Sequence, residues 1–317
     1  MVQYAVNEVD KVEILTLQDN YIEITAGDNS EIITRAGAVK NGIVSQSILA
    51  EHGFSALVKT TTGERTRILL FDFGFSEDGA AYNAKVLGTD MTKVEAAALS
   101  HGHSDHTGGI AKLGALIGKK DVPIAIHPGA FKSPRYLKIT DELKIYFPQL
   151  TKNTLEQAGF SIVETKAPYP LLDGDILFLG EIPRRTDFEK GMPAAHFEEN
   201  GEEKRDLIED DTSVVMNLKG KGLVVLSGCA HAGIVNTVRH AVDVTGIDKI
   251  HVVMGGFHLS GPAFEPIIGR TTDELKKFHP AYVIPVHCTG RKAIIHMEKE
   301  MPEQFLLNMS GTKLTFA

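Results

Sequence analysis

Three histidines and an aspartate fall within six positions, His101 to His106, in the stretch ALSHGHSDHTGGI. Such side chains are costly at the end of an apolar run unless something pairs with them. In an extended segment alternate residues share a face, so His101 and His103 can address one metal ion. The chain then turns at Thr107-Gly108-Gly109 into a helix, which lets Asp105 and His106 swing toward a second ion close by. Imidazole and carboxylate together suit zinc, manganese or iron.

These donors do not complete two sites, and three later segments offer more, each just after an apolar run. LVVLSGCAHAG supplies Cys229 and His231, VVMGGFHLSG supplies His258, and VIPVHCTG supplies His287. Parallel strands of an α/β layer bring their carboxyl ends to one crevice, so these loops can converge. His258 has a competing role as a substrate contact or as a support behind the ligands. His52, His127, His240, His251, His279 and His296 read as packing or surface residues, and Cys288 as a small buried hydrophobe.

The elements that must position these groups alternate between strand and helix. KVEILTLQDN and FSALVKTTTGERTRILLFDFG read as strands, the second with a hairpin at Thr62-Gly63-Glu64. KVEAAALS is a short apolar strand delivering the histidine block. TGGIAKLGALIGKK is a helix and VPIAIHP a strand. Residues 131–205 stand out by their prolines, bulky side chains and charge-rich end, and are expected to form a helical insertion, a lid over one edge. Beyond it come DTSVVMNLKGKGLVVLSGC, a helix in GIVNTVRHAVDVTG, and further strand–helix alternation. Strand-rich ribbons followed by α/β alternation in both halves suggest one domain over residues 1–317. Two sheets would face each other with helices outside, a four-layer αββα sandwich.

Composition narrows the partners. The 317 residues are 43% hydrophobic and 23% charged, as in ordinary globular proteins, with a net charge of −8 and no basic tract. A large electrostatic footprint for nucleic acid is missing, which makes a nuclease the weaker alternative and a small molecule the expected partner. Self-association into a homo-oligomer is left open. No apolar segment approaches membrane-spanning length, and the opening MVQYAVNEVDKVEILTLQDN is not a signal peptide, so a cytoplasmic location is expected. Two cysteines are too few for a disulfide framework.

The histidine block resembles the H-x-H-x-D-H signature of the metallo-β-lactamase superfamily, whose αββα sandwich holds one or two metals at one edge. EHGFSALV, LLFDFG, YNAKVLGTD, LSHGHSDHTGG, GEIPRRTDFE, GLVVLSGCAHAGIVNTVRHA, VVMGGFHL and PVHCTG extend the likeness. Together they resemble the 7,8-dihydropterin-6-methyl-4-(β-D-ribofuranosyl)aminobenzene 5'-phosphate synthase-like branch. The resemblance implies His101 and His103 on the first metal, Asp105 and His106 on the second, and His287 as the late histidine. Cys229 in SGC occupies the place of a bridging residue. The family's usual third histidine has no clear counterpart: His196 and Glu181 lie in the right interval without the right context, and His231 can fill the vacancy. Phe73 stands where a threonine is common, which alters packing near Asp72 without removing a ligand.

The implied cofactor is a pair of divalent ions, zinc first, with iron or manganese as alternatives. The implied reaction is displacement of diphosphate from a pterin methyl group by an aryl ribose phosphate. A hydrolase would use metal-activated water instead, whose pKa falls toward about 7, with Asp105 orienting it as catalytic base. Either needs cationic phosphate contacts. Arg135, Arg184 and Arg185 are the candidates, with Lys85 and Asn83 weaker ones. The start of AGIVNT offers a helix N-terminus as a further anion site. Plain hydrolysis of an ester, lactone or phosphodiester is the second reading, and a non-catalytic metal sensor the third. An aspartate beside an open water position argues against the sensor.

Overall fold

In the computed structural model, which describes residues 2–40, 42–44 and 46–317, the strand Arg65–Phe71 shows how the layers are made. Successive side chains of a strand point to opposite faces. Leu69 and Phe71 therefore enter a core between two sheets, while Leu70 faces helices on the other side. The opposing sheet repeats the pattern: Val214, Met216, Val224 and Leu226 face inward, Val215 and Val225 outward. Strands covered on both faces read as continuous apolar runs, which is why LLF and LVVL lack polar alternation.

Among the described residues the first sheet has eight strands, in the order Phe160–Glu164, Val122–Ile126, Ala96–Ala98, Arg65–Phe71, Ser55–Thr62, Lys11–Gln18, Lys313–Phe316 and Ile33–Thr34. The second has seven, led by Tyr169–Leu171, Ile176–Phe178, Ser213–Leu218, Gly222–Ser227, Ile250–Gly256 and Tyr282–Val286, with Glu8–Val9 beside Ser213–Leu218. Helices Gly79–Val86, Ile110–Ile117 and Lys152–Gln157 pack on the outside of the first sheet. Ile234–Thr245, Ile268–Lys276 and Arg291–Glu300 pack on the outside of the second. The expected helix–sheet–sheet–helix sandwich is present, with mixed sheets. No helix among the described residues is long and apolar enough to cross a membrane.

Within each sheet a run of parallel strands ends at the same edge. In the first, Arg65–Phe71, Ala96–Ala98 and Val122–Ile126 are mutually parallel; in the second, Gly222–Ser227, Ile250–Gly256 and Tyr282–Val286 are. The loops that follow them carry the candidate donors. Each large apolar side chain buried between these layers contributes about 1.5–3 kcal/mol, and the core fixes where the strand ends lie.

Residues 131–205 correct the expectation of a helical insertion. Their one α-helix among the described residues is Lys152–Gln157. Phe160–Glu164 joins the first sheet beside Val122–Ile126, and Tyr169–Leu171 and Ile176–Phe178 join the second. What stands apart is a four-stranded antiparallel sheet: Lys144–Tyr146, Arg135–Lys138, Ala195–Glu199 and Glu202–Arg205. Its bulky residues, Tyr136, Ile145, Tyr146 and Phe197, favour pleated pairing.

Candidate metal centre

The strand Ala96–Ala98 leads through Leu99 and Ser100 to His101, and the short helix Ser104–Thr107 follows. Backbone bonds pin this loop to its neighbour: Phe54 N donates to Asp105 O, Phe73 N to His106 O, and Gly108 N to Gly74 O. On the far side, Gly102 N donates to Asp210 Oδ2 at 2.8 Å. The block is therefore held from both flanks before any metal is considered.

Behind the imidazoles lies a set of orienting groups. Asp72 Oδ1 accepts from Ser100 N at 2.7 Å, and its Oδ2 accepts from Ser100 Oγ at 2.7 Å. The same Oδ2 stands 2.6 Å from His106 Nδ1. Ser100 Oγ is 3.0 Å from His101 Nδ1, and Asn20 Oδ1 is 3.2 Å from His287 Nδ1. Each contact fixes one ring nitrogen and leaves the other for the cavity, the usual arrangement for metal-binding histidine. Gly228 lets this set exist: a Cβ there would stand 2.1 Å from Ser100 Oγ and 2.8 Å from Asp72 Oδ2. Asp72, Ala230, His258 and His287 all take positive φ, at 58°, 51°, 46° and 48°. Non-glycine residues held this way cost about 1–3 kcal/mol each and gather at functional sites.

The free nitrogens face one another across a small volume. His106 Nε2 lies 3.1 Å from Cys229 Sγ, His287 Nε2 3.0 Å from Asp105 Oδ2, and His231 Nε2 3.2 Å from His101 Nε2. Asp105, His106, Cys229 and His287 form one group with donor atoms within 4.8 Å of one another; His101, Cys229 and His231 form a second. His101, His103 and Asp105 form a third, and Cys229, His258 and Cys288 a fourth. Cys229 belongs to three of them. The cluster fits one or two metal ions on its own chemistry. Within it His101, His103, His106, His231 and His287 are at most 4% exposed, and His231 Nδ1 has no hydrogen-bond partner among the described residues. Nitrogen, thiolate and carboxylate donors are what a borderline cation takes.

Protonation favours ligation at most of these rings. Burial pushes His103 down to about 4 and His101 and His231 well below their usual range, leaving neutral imidazoles. His106 is the exception: burial would lower it, but the Asp72 carboxylate raises it to about 9. Burial works against ionised Asp105, yet His106 and His287 hold its carboxyl well below the usual range. Burial raises the Cys229 thiol. A cation at this point would reverse that and hold the thiolate.

The other expected contacts fare differently. Arg135 is not a phosphate contact. It is 3% exposed and bonds Asp210 through two nitrogens at 2.9 and 2.6 Å and Asp206 at 2.6 Å. Two carboxylates engage its guanidinium, and Asp210, which also accepts from Gly102 N, ties it to the histidine loop. Arg185 pairs with Asp243 on the outside of Ile234–Thr245. Arg184 donates to the carbonyls of Leu207 and His231, bracing the loop rather than facing the cavity. Asn83 is fully buried, donating to Leu17 O and Leu49 O, and Lys85 lies outside the cavity lining. The helix N-terminus in AGIVNT does hold an anion, but it is the chain's own: Glu189 accepts from Val235 N and Asn236 N at 2.8 and 3.0 Å.

His196 stacks on Tyr136 in the small sheet and Glu181 sits near His127, both apart from the centre. His231 stands with His101 and Cys229 instead, in the second donor group. His258 lies 4.3 Å ring to ring from His231 and lines the cavity. Cys288 is buried, but it stands with Cys229 and His258 rather than in plain apolar packing. His52, read as a packing or surface residue, lines the cavity too, 4.6 Å ring to ring from His287 with its Nε2 3.6 Å from Asp105 Oδ2. The signal that could have found it is its place just before the strand Ser55–Thr62, in AEHGFSALV. The cavity holds about 500 Å³, and Phe147, stacked on His103 at 4.5 Å, closes one side with Leu137 and Met192.

A sandwich with this donor cluster at its strand ends is the architecture of a metal-dependent enzyme class, and the chain belongs to the metallo-β-lactamase superfamily. Residues 50–186 match that superfamily's description. The chain is 31% identical over 314 residues to the 7,8-dihydropterin-6-methyl-4-(β-D-ribofuranosyl)-aminobenzene-5'-phosphate synthase of Methanocaldococcus jannaschii, covering 98% of this chain and 99% of that one. An uncharacterised protein of the same organism is 30% identical over 261 residues, 80% of this chain and 90% of the other. Among solved structures, a metal-dependent hydrolase of the β-lactamase superfamily superposes with a TM-score of 0.70 at 25% identity, covering 96% and 98% of the two chains.

Proposed function

We propose that the protein is a cytoplasmic enzyme that uses two divalent ions, zinc first, to act on a phosphorylated, pterin-like small molecule. His101, His103 and His231 would hold one ion and Asp105, His106 and His287 the other, with Cys229 between them. The observation that carries this reading is the meeting of both donor groups at Cys229. The similarity over nearly the whole chain to a synthase of that substrate class supports the choice of substrate. When bound, the ions would supply Lewis acidity toward a phosphoryl oxygen and neutralise a diphosphate leaving group.

The chain's own residues do the rest. Asp72, Ser100 and Asn20 aim the imidazoles. Phe147, Leu137 and Met192 exclude water from one side, so the small antiparallel sheet serves as a cover. Asp105, held ionised, can orient an attacking group or take its proton. The likeness to a metal-dependent hydrolase keeps a second reading, hydrolysis of an ester, lactone or phosphodiester on the same centre.

The test is to incubate metal-loaded protein with a 6-hydroxymethyl-dihydropterin diphosphate, with and without 4-(β-D-ribofuranosyl)aminobenzene 5'-phosphate. Diphosphate release that requires the aryl phosphate, with the coupled product seen by mass, is the expected result. Release without it, leaving the free alcohol, would favour the hydrolase, and inertness of fully metallated protein toward both would reject this substrate class.

A further inference from the structure

We propose that Arg291 is the specificity-determining contact for an anionic substrate group, a phosphate ester set between the metal centre and an apolar groove. This rests on the reading of the centre as a site for a phosphorylated small molecule. Two cavities meet at this residue. One, of about 500 Å³, opens over Asp105, Cys229 and His287. The other, of about 350 Å³, runs along Tyr21, Ile294, Ile295 and Leu307. Asn20, His287, Gly290 and Arg291 belong to both and form their common wall.

Charge decides what belongs there. Among the described residues lining the first cavity, Arg291 is the sole lysine or arginine and Asp105 the sole carboxylate. Asp105 is already taken up by His287 and His106. The other arginines considered for this role are engaged elsewhere: Arg135 with Asp206 and Asp210, Arg184 with two carbonyls, Arg185 with Asp243. Lys292, the next residue, is paired with Glu265 at 2.6 Å. Arg291 is exposed, and no hydrogen bond or ion pair engages its guanidinium among the described residues. An unneutralised planar cation beside a metal-donor cluster is built to receive two oxygens of one anion.

The groove gives the ligand a direction. Glu298 lies two turns further along the helix Arg291–Glu300 and lines the second cavity, where it would repel an anion. The phosphate therefore belongs at the Arg291 end, and a neutral, apolar part of the molecule lies against Tyr21 and Ile294.

The test measures binding rather than turnover. Phenyl phosphate, benzoate and the neutral benzamide are titrated calorimetrically into metal-loaded wild type, Arg291→Ala, Arg291→Lys and Lys292→Ala proteins, with metal content measured for each. Arg291→Ala should weaken phenyl phosphate by roughly 10- to 100-fold, the loss expected for charge-assisted hydrogen bonds. Arg291→Lys should recover part of it, Lys292→Ala should match wild type, and benzamide binding and metal content should not change. Benzoate should lose less than phenyl phosphate; an equal or larger loss would overturn the assignment to phosphate. Phenyl phosphate binding within twofold of wild type in Arg291→Ala would overturn the proposal. Arg291-dependent binding by a fully metallated protein inert in both turnover assays would sink the proposed reaction and leave this contact standing.

Discussion

Asp72 Oδ2 stands 2.6 Å from His106 Nδ1, with both side chains fully buried, and this contact aims His106 Nε2 at Cys229 Sγ. A carboxylate behind a metal-facing imidazole sets its tautomer, its angle and its basicity. Asp72→Asn keeps the shape but loses the charge. It should weaken affinity for one of two ions by roughly 10- to 100-fold while leaving the other in place, within the range for such supporting groups. Stepwise chelator titration followed by metal analysis would show it. Loss of neither ion would mean that Asp72 is merely a core carboxylate.

Gly228 makes the same point sterically. Gly228→Ala drives a methyl group into Ser100 Oγ and Asp72 Oδ2, which are already committed to each other. The variant is expected to lose about 1–3 kcal/mol of stability, as overpacking does, and to bind metal more weakly. Urea unfolding and metal content should fall together. Unchanged metal affinity would disconnect the glycine from the orienting set.

Arg135 is predicted to act on stability through the histidine loop. Burial pushes Asp206 and Asp210 upward, but the Arg135 guanidinium more than offsets this and holds both carboxyls below their usual range. Groups with depressed folded pKa values stabilise above the ordinary carboxylate pKa of about 3.9 and lose that contribution as pH falls toward the folded values. Arg135→Met leaves two buried carboxylates unpaired and should cost about 3–5 kcal/mol at pH 7. The gap between variant and wild type should narrow in urea unfolding as pH falls from 7, because burial raises the unpaired carboxyls of the variant. It should narrow further below about pH 4, where the wild type loses its own contribution. A gap that does not depend on pH would show that Arg135 contributes packing alone.

Glu189 offers a stability change with no metal effect. Its carboxylate satisfies the first N–H groups of the helix Ile234–Thr245, and Thr186 Oγ1 donates to it. Glu189→Ala should cost about 1–3 kcal/mol, because those donors are left buried without a partner. Thermal unfolding should register the loss while metal content stays at wild-type level.

The sequence made some of this legible because strand ends are recognisable locally. His101, His103, Asp105 and His106 follow one apolar run, and Cys229, His231, His258 and His287 follow three more; the structure brings all of them to one cavity wall or donor group. Asp72, Ser100 and Asn20 were not legible as supports, since their role is an angle between side chains distant in sequence. Arg135 is illegible for the opposite reason. A free arginine and one buried against Asp206 and Asp210 look alike until residues 71 and 75 positions away are folded beside it. The helical character expected of residues 131–205 failed because cross-strand pairing decides β-structure, and Tyr136 opposite His196 is a tertiary fact. The stretch is also no single excursion, since three of its strands complete the two main sheets.

The central claim is that donors from separate strand ends share a pair of cations through Cys229, and metal stoichiometry of the full chain tests it most directly. Wild-type protein reconstituted with zinc and freed of excess metal should retain two ions, and anomalous diffraction should place both beside Cys229. Cys229→Ser should weaken both ions. Ions found at surface carboxylates, or a Cys229→Ser protein that holds both with undiminished affinity, would contradict it.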